Sequence, residues 1–310
     1  MLTVFPALAA IALIGASLHW ILPDLDIDSA RRHCGLLVLN VMLPALNIEV
    51  ICNAPLGNDI WQVPAAMLAG AVVCVAVSAL VYSALAVDRK LRNSLILASA
   101  FGNVTYLGMP LLRGLFPSQL LEVTAIAILC EITVTSSDLI TGTVLAAYSD
   151  QTGRHISAKA VLTQLMKFPL LWSVIIAAII RSLGVPLPPF LKMALHLLGE
   201  AASGLMLLVL GMALKPAAIA AAPRKFGSWW PTMLIKLGLS PLVVAFVGAA
   251  IGLSGLNLRS ATMEAAMPPQ LFIFIVADRF GFDTEVLAAA VAFLTVVSFV
   301  TLPILNSVLR

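Results

Sequence analysis

The chain has 310 residues, of which 61% are hydrophobic and only 11% are charged, and its formal net charge at pH 7 is +3. Soluble domains carry about 25% charged residues, so this composition excludes an ordinary water-soluble protein and indicates one embedded in a lipid bilayer. The small net charge gives no reason to expect a nucleic-acid partner. The four cysteines stand singly in apolar segments, which is typical of small buried hydrophobes and not of a metal or redox site.

The first apolar segment opens a series of predicted membrane spans. It has no basic leader region and stays apolar for the length of a span, so we interpret it as a retained helix and not as a cleaved signal. A spanning helix needs about 20 largely apolar residues. Ten segments qualify: 3–22, 34–53, 62–86, 92–116, 121–147, 160–184, 188–214, 229–253, 259–281 and 283–308. We therefore predict an all-α membrane protein with ten transmembrane helices.

Lysine and arginine are unevenly divided between the two sides that alternating spans define. Eleven lie on one side: Arg31, Arg32, Arg89, Lys90, Arg92, Arg154, Lys159, Lys215, Arg224, Lys225 and Arg279. Five lie on the other: Arg113, Arg181, Lys192, Arg259 and Arg310. Because cytoplasmic loops carry the excess of these residues, the first side is predicted to be cytoplasmic. In a cell (inner) membrane, both termini then face the outer, periplasmic side.

The two halves of the chain share several features. The longest polar connection, residues 149–159, divides them, which predicts one five-helix repeat over 1–148, a cytoplasmic linker and a second repeat over 160–310. LRNSLILASAFGN at 91–103 parallels LRSATMEAAMPPQ at 258–270, with an amide residue at the end of each. Because each half has an odd number of spans, the two repeats must be inverted in the membrane.

The fourth predicted span is a poor membrane helix. Its stretch ASAFGNVTYLGMPLLRGLFP, residues 98–117, combines three glycines, several polar residues and a proline in mid-span. In the ninth span, Pro268 and Pro269 remove two amide donors and clash with the preceding turn. Non-helical backbone at membrane depth persists only where protein buries it or a water-filled cavity hydrates it. We predict that both spans are broken; the alternative is a proline kink whose freed groups are satisfied by neighbouring helices.

Matching helix breaks in inverted repeats are the best sequence indication of a transporter's binding site. Where two breaks cross, we expect exposed backbone groups and half-helix N-termini whose partial positive charge attracts a carboxylate. The candidate substrate-binding residues are Asn103, Thr105, Tyr106, Pro110, Pro268, Pro269 and Gln270. No catalytic residue, cofactor or metal is expected, because the chain has no H-E-x-x-H motif, no phosphate-binding glycine loop and no clear nucleophile–base pair.

Two motifs carry a resemblance to a known family. FGNVTYLGMPLL at 101–112 resembles the N-x-x-Y-x-G-x-P signature of the auxin efflux carrier family, which includes bacterial permeases. AAMPPQLFIF at 265–274 resembles the ninth span of plant auxin efflux carriers, where a phenylalanine lies six residues after the proline. LNVMLPAL at 39–46 and GLMLLVLGMAL at 204–214 fit the second and seventh spans. Pro269 departs from the pattern, because glutamine is expected there and the amide instead occurs at Gln270.

This resemblance implies a fold shared with bile-acid symporters and sodium–proton antiporters. Helices 1, 2, 6 and 7 would form a scaffold, through which a homodimer is possible, and helices 3–5 and 8–10 a transport domain. The transport domain would move like an elevator and carry an organic mono- or dicarboxylate, with a proton or sodium as a possible coupling ion.

Ionisable residues inside spans are functional candidates because burying them is costly. Glu131 and Asp138 lie seven residues apart, within about 20° of each other on an α-helix, and would relay a proton or hold a cation; the alternative is structural pairing with Lys236. Glu264, one turn before Pro268, would sense substrate protonation or coordinate an ion, or form a buried pair. Lys236 would balance an anionic substrate or extend its amine to the membrane surface.

Several other charged residues in the spans receive structural interpretations. His196 and Glu200, one turn apart, are expected to pack or titrate as a pair. Glu49 and Lys167 are expected to reach the membrane surface.

Other function classes remain open on the sequence. A membrane enzyme lacks a recognisable catalytic motif, and a receptor or channel has no reason to duplicate a broken span. Among transporters, the alternative is a sodium-coupled organic anion symporter of the bile-acid type, which a comparison of flux with and without a sodium gradient would distinguish.

Overall fold

The structure is a computed structural model, and it describes residues 3–55, 57, 60–149, 163, 166, 169–214, 216–223 and 226–309. Within these residues every regular element is a helix. Seven helices there are long and apolar enough to cross a membrane, judged by length and composition: Val4–Ile21, Ile27–Asn53, Gln62–Ala84, Pro117–Tyr148, Pro189–Ala213, Phe226–Ala250 and Thr284–Val308. The predicted all-helical membrane class is confirmed, whereas the count of ten spans and the inverted repeat stay predictions. Residues 150–159 of the linker, Lys167 and Arg310 lie outside the described residues.

We number thirteen helices along the described part of the chain. They are α1 (Val4–Ile21), α2 (Ile27–Asn53), α3 (Gln62–Ala84), α4 (Arg89–Ala100), α5 (Met109–Leu115), α6 (Leu120–Ser149), α7 (Pro169–Ser182), α8 (Pro189–Ala213), α9 (Pro216–Ala221), α10 (Phe226–Ala250), α11 (Gly255–Ala265), α12 (Ile273–Phe280) and α13 (Thr284–Val308).

Three wide π-helical turns share one sequence cause. They span Val38–Met42, Val104–Gly108 and Ile235–Leu239, and in each case a proline follows two residues later. Proline cannot donate to the helical ladder and crowds the carbonyl one turn earlier. A π-helical turn relieves that crowding without ending the helix.

Helix ends follow ordinary capping chemistry. The side chain of Asp88 accepts a hydrogen bond from the Lys90 amide at the start of α4, and Asp283 accepts two amides at the start of α13. Gly281, with φ of 66°, ends α12 in the left-handed conformation that glycine adopts without a steric penalty. These residues fix the ends of the two half-helices, α4 and α12, that lead into and out of the candidate site.

The chain forms two compact units. The first comprises Met1–Gly57, Thr105–Ile128 and Thr163–Leu214. Within it, α1 packs closely on α8, because Gly15 and Gly211 have no side chain. A Cβ atom at either position would collide with the backbone of the facing helix. Helix α7 packs on α2, where Asn47 donates to the Ser173 hydroxyl at 2.9 Å and Arg181 donates to the terminal carbonyls of α2.

The second unit comprises Asn58–Val104, Leu129–Leu162 and Lys215–Arg310. A buried chain of hydroxyls joins three of its helices: Tyr82 of α3 lies 2.6 Å from Thr232 of α10, and Ser99 of α4 donates to Thr232 at 3.1 Å. Beside this chain, the rings of Tyr82 and Trp229 pack in an apolar cluster that extends to α13. The second unit therefore holds α4, which leads into the first break, against a rigid support.

Candidate binding site at two helix breaks

The fourth predicted span is interrupted, as predicted. Helix α4 ends at Ala100, and Phe101 takes an extended conformation with φ of −107° and ψ of 118°. Regular α-helix resumes only at Met109, after the π-helical turn Val104–Gly108. Pro110 lies in the first turn of α5, where its missing amide costs no hydrogen bond. Pro110 therefore accounts for the π-helical turn before α5 but not for the extended backbone at Phe101, where the break begins.

The ninth predicted span is interrupted at the corresponding place. Helix α11 ends at Ala265 and α12 begins at Ile273, so that Pro268, Pro269 and Gln270 lie between two half-helices. All three residues are buried. Both predicted breaks are thus confirmed.

The two breaks pair with each other through their backbones. The Asn103 amide donates to the Pro268 carbonyl at 2.7 Å, and the Gln270 amide donates to the Phe101 carbonyl at 3.1 Å. These two bonds flank an antiparallel bridge between Gly102 and Pro269. Pro269 occupies the non-hydrogen-bonded position of this antiparallel pair, where its missing amide costs no hydrogen bond. We expected exposed backbone groups at the crossing. That expectation was wrong for these two amides and two carbonyls, because they form hydrogen bonds with one another.

Lys236 places a positive charge directly at this bridge. Its side chain is 1% exposed, and its ammonium donates to the Ala265 carbonyl at 2.9 Å and to the Ser240 hydroxyl at 3.3 Å. A Cβ atom added to Gly102 would lie 3.0 Å from the Lys236 Nζ atom. Lys236 therefore does not extend to the membrane surface: it caps the C-terminal end of α11, where a cation is favoured, and its ammonium lies close against the backbone of Gly102.

Gln270 uses its side chain within the protein. Its Nε2 atom donates to the Asp138 Oδ2 atom at 2.9 Å, while the other oxygen of Asp138 is buried with no hydrogen-bond partner among the described residues. Asp138 belongs to α6 and is fully buried. The structure thus brings together a predicted coupling residue and a predicted substrate ligand.

Two further carboxyl groups lie near the bridge. Glu264 is the residue before Ala265 at the end of α11, is 0% exposed, and has no hydrogen-bond partner for either oxygen within the described residues. Glu131 accepts a hydrogen bond from Thr135 at 2.6 Å and is close enough to Glu264 for the two groups to interact electrostatically. The described residues contain no cluster of three or more histidine, cysteine, aspartate or glutamate side chains that could hold a metal ion.

Three predicted site residues fall in the first unit. Thr105 and Pro110 are buried there, and Tyr106 is half-buried, with its hydroxyl near Gly35 of α2. The boundary between the units falls directly after Val104. The candidate site of the second unit therefore contains Asn103, Pro268, Pro269 and Gln270, together with the four ionisable candidates.

Comparisons with known proteins agree on one family. Residues 25–306 match a model of the family described as "Membrane transport protein". The chain is 27% identical to an uncharacterized transporter of Methanocaldococcus jannaschii over 69% of this chain and 67% of that protein. It is 26% identical to an uncharacterized transporter of Methanothermobacter thermautotrophicus over 88% of this chain and 87% of that protein.

Plant proteins match a shorter part. The chain is 30% identical to "Probable auxin efflux carrier component 1b" of Oryza sativa over 36% of this chain and 20% of that protein. Family membership points to a membrane transporter and not to an enzyme. The chain belongs to the membrane transport protein family that includes the auxin efflux carriers.

Proposed function

We propose that this protein is a secondary transporter for small organic anions, either mono- or dicarboxylates, which bind at the bridge between the two helix breaks. The observation that carries the proposal is the buried ammonium of Lys236 directly beside Gly102. A buried cation stabilises an anion strongly because little water screens the attraction. Asn103, which is 1% exposed and adjacent to Gly102, would donate its side-chain amide to the same carboxylate.

In this proposal the second unit is the transport domain and the first unit the scaffold. The first unit holds the helices of predicted spans 1, 2, 6 and 7, and the second holds those of spans 3, 8, 9 and 10. Spans 4 and 5 are each divided between the units. We propose that the transport domain moves in elevator fashion, that scaffold helices form any homodimer, and that the carrier lies in the cell membrane with both termini outside.

Uptake into proteoliposomes tests the proposed activity. Purified full-length protein is reconstituted and supplied with radiolabelled acetate, lactate, succinate and fumarate, with protein-free liposomes as the control for passive entry. The proposal predicts uptake of at least one carboxylate that unlabelled substrate on the opposite side accelerates by exchange. Uptake of uncharged or cationic solutes in place of carboxylates would contradict the assignment of an anion site.

A sodium-coupled symporter is the second candidate function. It is favoured by Glu264, whose two buried oxygens have no partner in the described part of the chain and would serve as oxygen ligands for a hard cation. Succinate accumulation driven by an inward sodium gradient, at equal pH on both sides, would support it. Equal uptake in sodium and in potassium would exclude it.

A further inference from the structure

The charges around the bridge do not suit an anion on their own. Lys236 is one ammonium, whereas Asp138, Glu131 and Glu264 are three carboxyl groups, and all four side chains are at least 96% buried. In a site with little water, like charges repel strongly. An organic anion therefore enters this region more readily when a carboxyl group there is neutral.

Asp138 is the carboxyl group with a direct connection to the bridge. The connection is one side-chain hydrogen bond, from Gln270 Nε2 to Asp138 Oδ2, and the Gln270 backbone amide donates to the Phe101 carbonyl of the opposite break. An ionised carboxylate can only accept hydrogen bonds, whereas a protonated one also donates. A carboxylate oxygen accepts a hydrogen bond about twice as strongly as a neutral carboxyl oxygen, so protonation of Asp138 weakens the bond that holds the Gln270 amide group.

We infer that Asp138 is the proton-binding site of this carrier and that Gln270 is the positioning residue linking its protonation to anion binding. This inference rests on the proposed function. Ionised Asp138 retains the Gln270 NH₂ group and keeps a negative charge near the bridge. When a proton binds the free oxygen of Asp138, that charge disappears and the hydrogen bond from Gln270 weakens, so the Gln270 NH₂ group donates in preference to the negatively charged carboxylate substrate. One proton and one anion then cross together, and each strengthens the binding of the other.

Other charged groups lie on the same helix and on nearby helices, and they affect the protonation of Asp138. Glu131 lies on the same helix, Glu264 ends α11, and Lys236 belongs to α10. Helix α12 contacts α6 where Val276 and Phe280 approach Gly142. Its charged residues, Asp278 and Arg279, are exposed. The hydrogen bond from Gln270 joins Asp138 directly to the bridge, which is why we assign the proton to it.

The test uses radiolabelled succinate and proteoliposomes of the full chain, in sodium-free buffers, with a pH-sensitive dye inside. For the wild type we expect an inward proton gradient to raise succinate uptake about tenfold over uptake at equal pH, a typical size for coupling between two sites. The dye should report proton entry together with succinate. Protein-free liposomes subtract passive entry of undissociated acid.

Two variants test the two roles separately: that of Asp138 as the proton site and that of Gln270 as its link to anion binding. Asp138→Asn should lose the stimulation by the gradient, because its amide cannot take up a proton. Gln270→Met keeps the length of the side chain without the amide, and it should also lose the stimulation although Asp138 is intact. Gln119→Met, at an exposed glutamine, should behave like the wild type. Stimulation that survives in Gln270→Met would overturn the role of Gln270 as the link.

Measurements on the wild type alone also test the inference. Succinate uptake that ignores the proton gradient and brings no protons would contradict this inference while leaving the anion carrier intact. If a sodium gradient drives accumulation and a proton gradient does not, the coupling ion is sodium and Asp138 is not the proton site. No uptake of any carboxylate would instead contradict the proposed function and, with it, the inference.

Discussion

At the scale of single residues, Lys236 has the most informative surroundings. Its ammonium satisfies the Ala265 carbonyl, which the end of α11 leaves without a helical partner. Ser240 donates to the same carbonyl at 2.9 Å, so that carbonyl keeps a partner if the lysine is lost. The lysine is thus more important for charge at the bridge than for closing the helix end.

Replacing Lys236 tests this division of roles. Lys236→Met should lower the affinity for succinate at least tenfold, because the positive charge beside Gly102 is removed. It should cost only about 1.5–3 kcal/mol of unfolding free energy, the typical cost of a lost hydrogen bond to a charged group. Binding and thermal unfolding in detergent measure the two effects. Lys192→Met, at an exposed lysine, is the control; unchanged affinity in Lys236→Met would argue against an anion site here.

Sequence reasoning found these residues but not their partners. It placed Asp138, Glu264 and Lys236 within spans, because charged residues in apolar runs are visible in a single sequence, but it left open whether Lys236 extends to the membrane surface. It did not find the Asp138–Gln270 contact. It also paired His196 with Glu200, whereas His196 lies 2.9 Å from Glu49 and Glu200 pairs with Arg113. Partners on other helices depend on helix packing, which local spacing does not encode.

At the scale of helices, breaks are better predicted than contacts. Proline and glycine act on their own turn, so the interruptions after Ala100 and Ala265 follow from the sequence. The antiparallel bridge does not follow, because it depends on the two breaks meeting in register. The three π-helical turns were missed, although each precedes a proline by two residues and could have been found by that signal.

The break in the ninth predicted span can be tested through its proline. Pro268→Ala restores one of the two missing amide donors and lets α11 extend toward Pro269, which would shift the carbonyl of residue 268 away from the Asn103 amide. We expect a folded protein with little succinate transport. Pro303→Ala is the matched control, since Pro303 lies inside α13 without a break. Normal transport by Pro268→Ala would show that the bridge is not required.

The close packing of α1 on α8 gives a stability prediction. A Cβ atom at Gly211 would overlap the Ala12 carbonyl oxygen, whereas one at Gly204 on the same helix has no neighbour within 4 Å. Gly211→Ala should therefore destabilise the protein by about 1–3 kcal/mol. Gly204→Ala should be neutral or stabilising by up to about 1 kcal/mol. Thermal unfolding in detergent measures the stability of both variants. Equal unfolding temperatures would contradict the close approach of α1 to α8 at Gly211.

At the scale of the whole molecule, the proposed orientation rests on the distribution of lysine and arginine. Single cysteines in a cysteine-free background test it, at Leu85, directly after α3 at the end of predicted span 3, and at Val185 between predicted spans 6 and 7. Both positions are exposed. A membrane-impermeant thiol reagent applied to intact cells should label Val185→Cys and leave Leu85→Cys unlabelled. The reverse pattern would invert the topology.

The proposed function requires that an organic anion binds at the bridge, beside Asn103. The most direct measurement is the dissociation constant of radiolabelled succinate for purified wild type, Asn103→Ala and Asn40→Ala. Asn40 is the control, because its exposed amide donates only within its own helix to Leu36. Losing a hydrogen bond to a charged group costs about 1.5–3 kcal/mol, so Asn103→Ala should bind about ten- to a hundredfold more weakly, with Asn40→Ala unchanged. Near-normal affinity for succinate in a folded Asn103→Ala protein would contradict anion binding at the bridge.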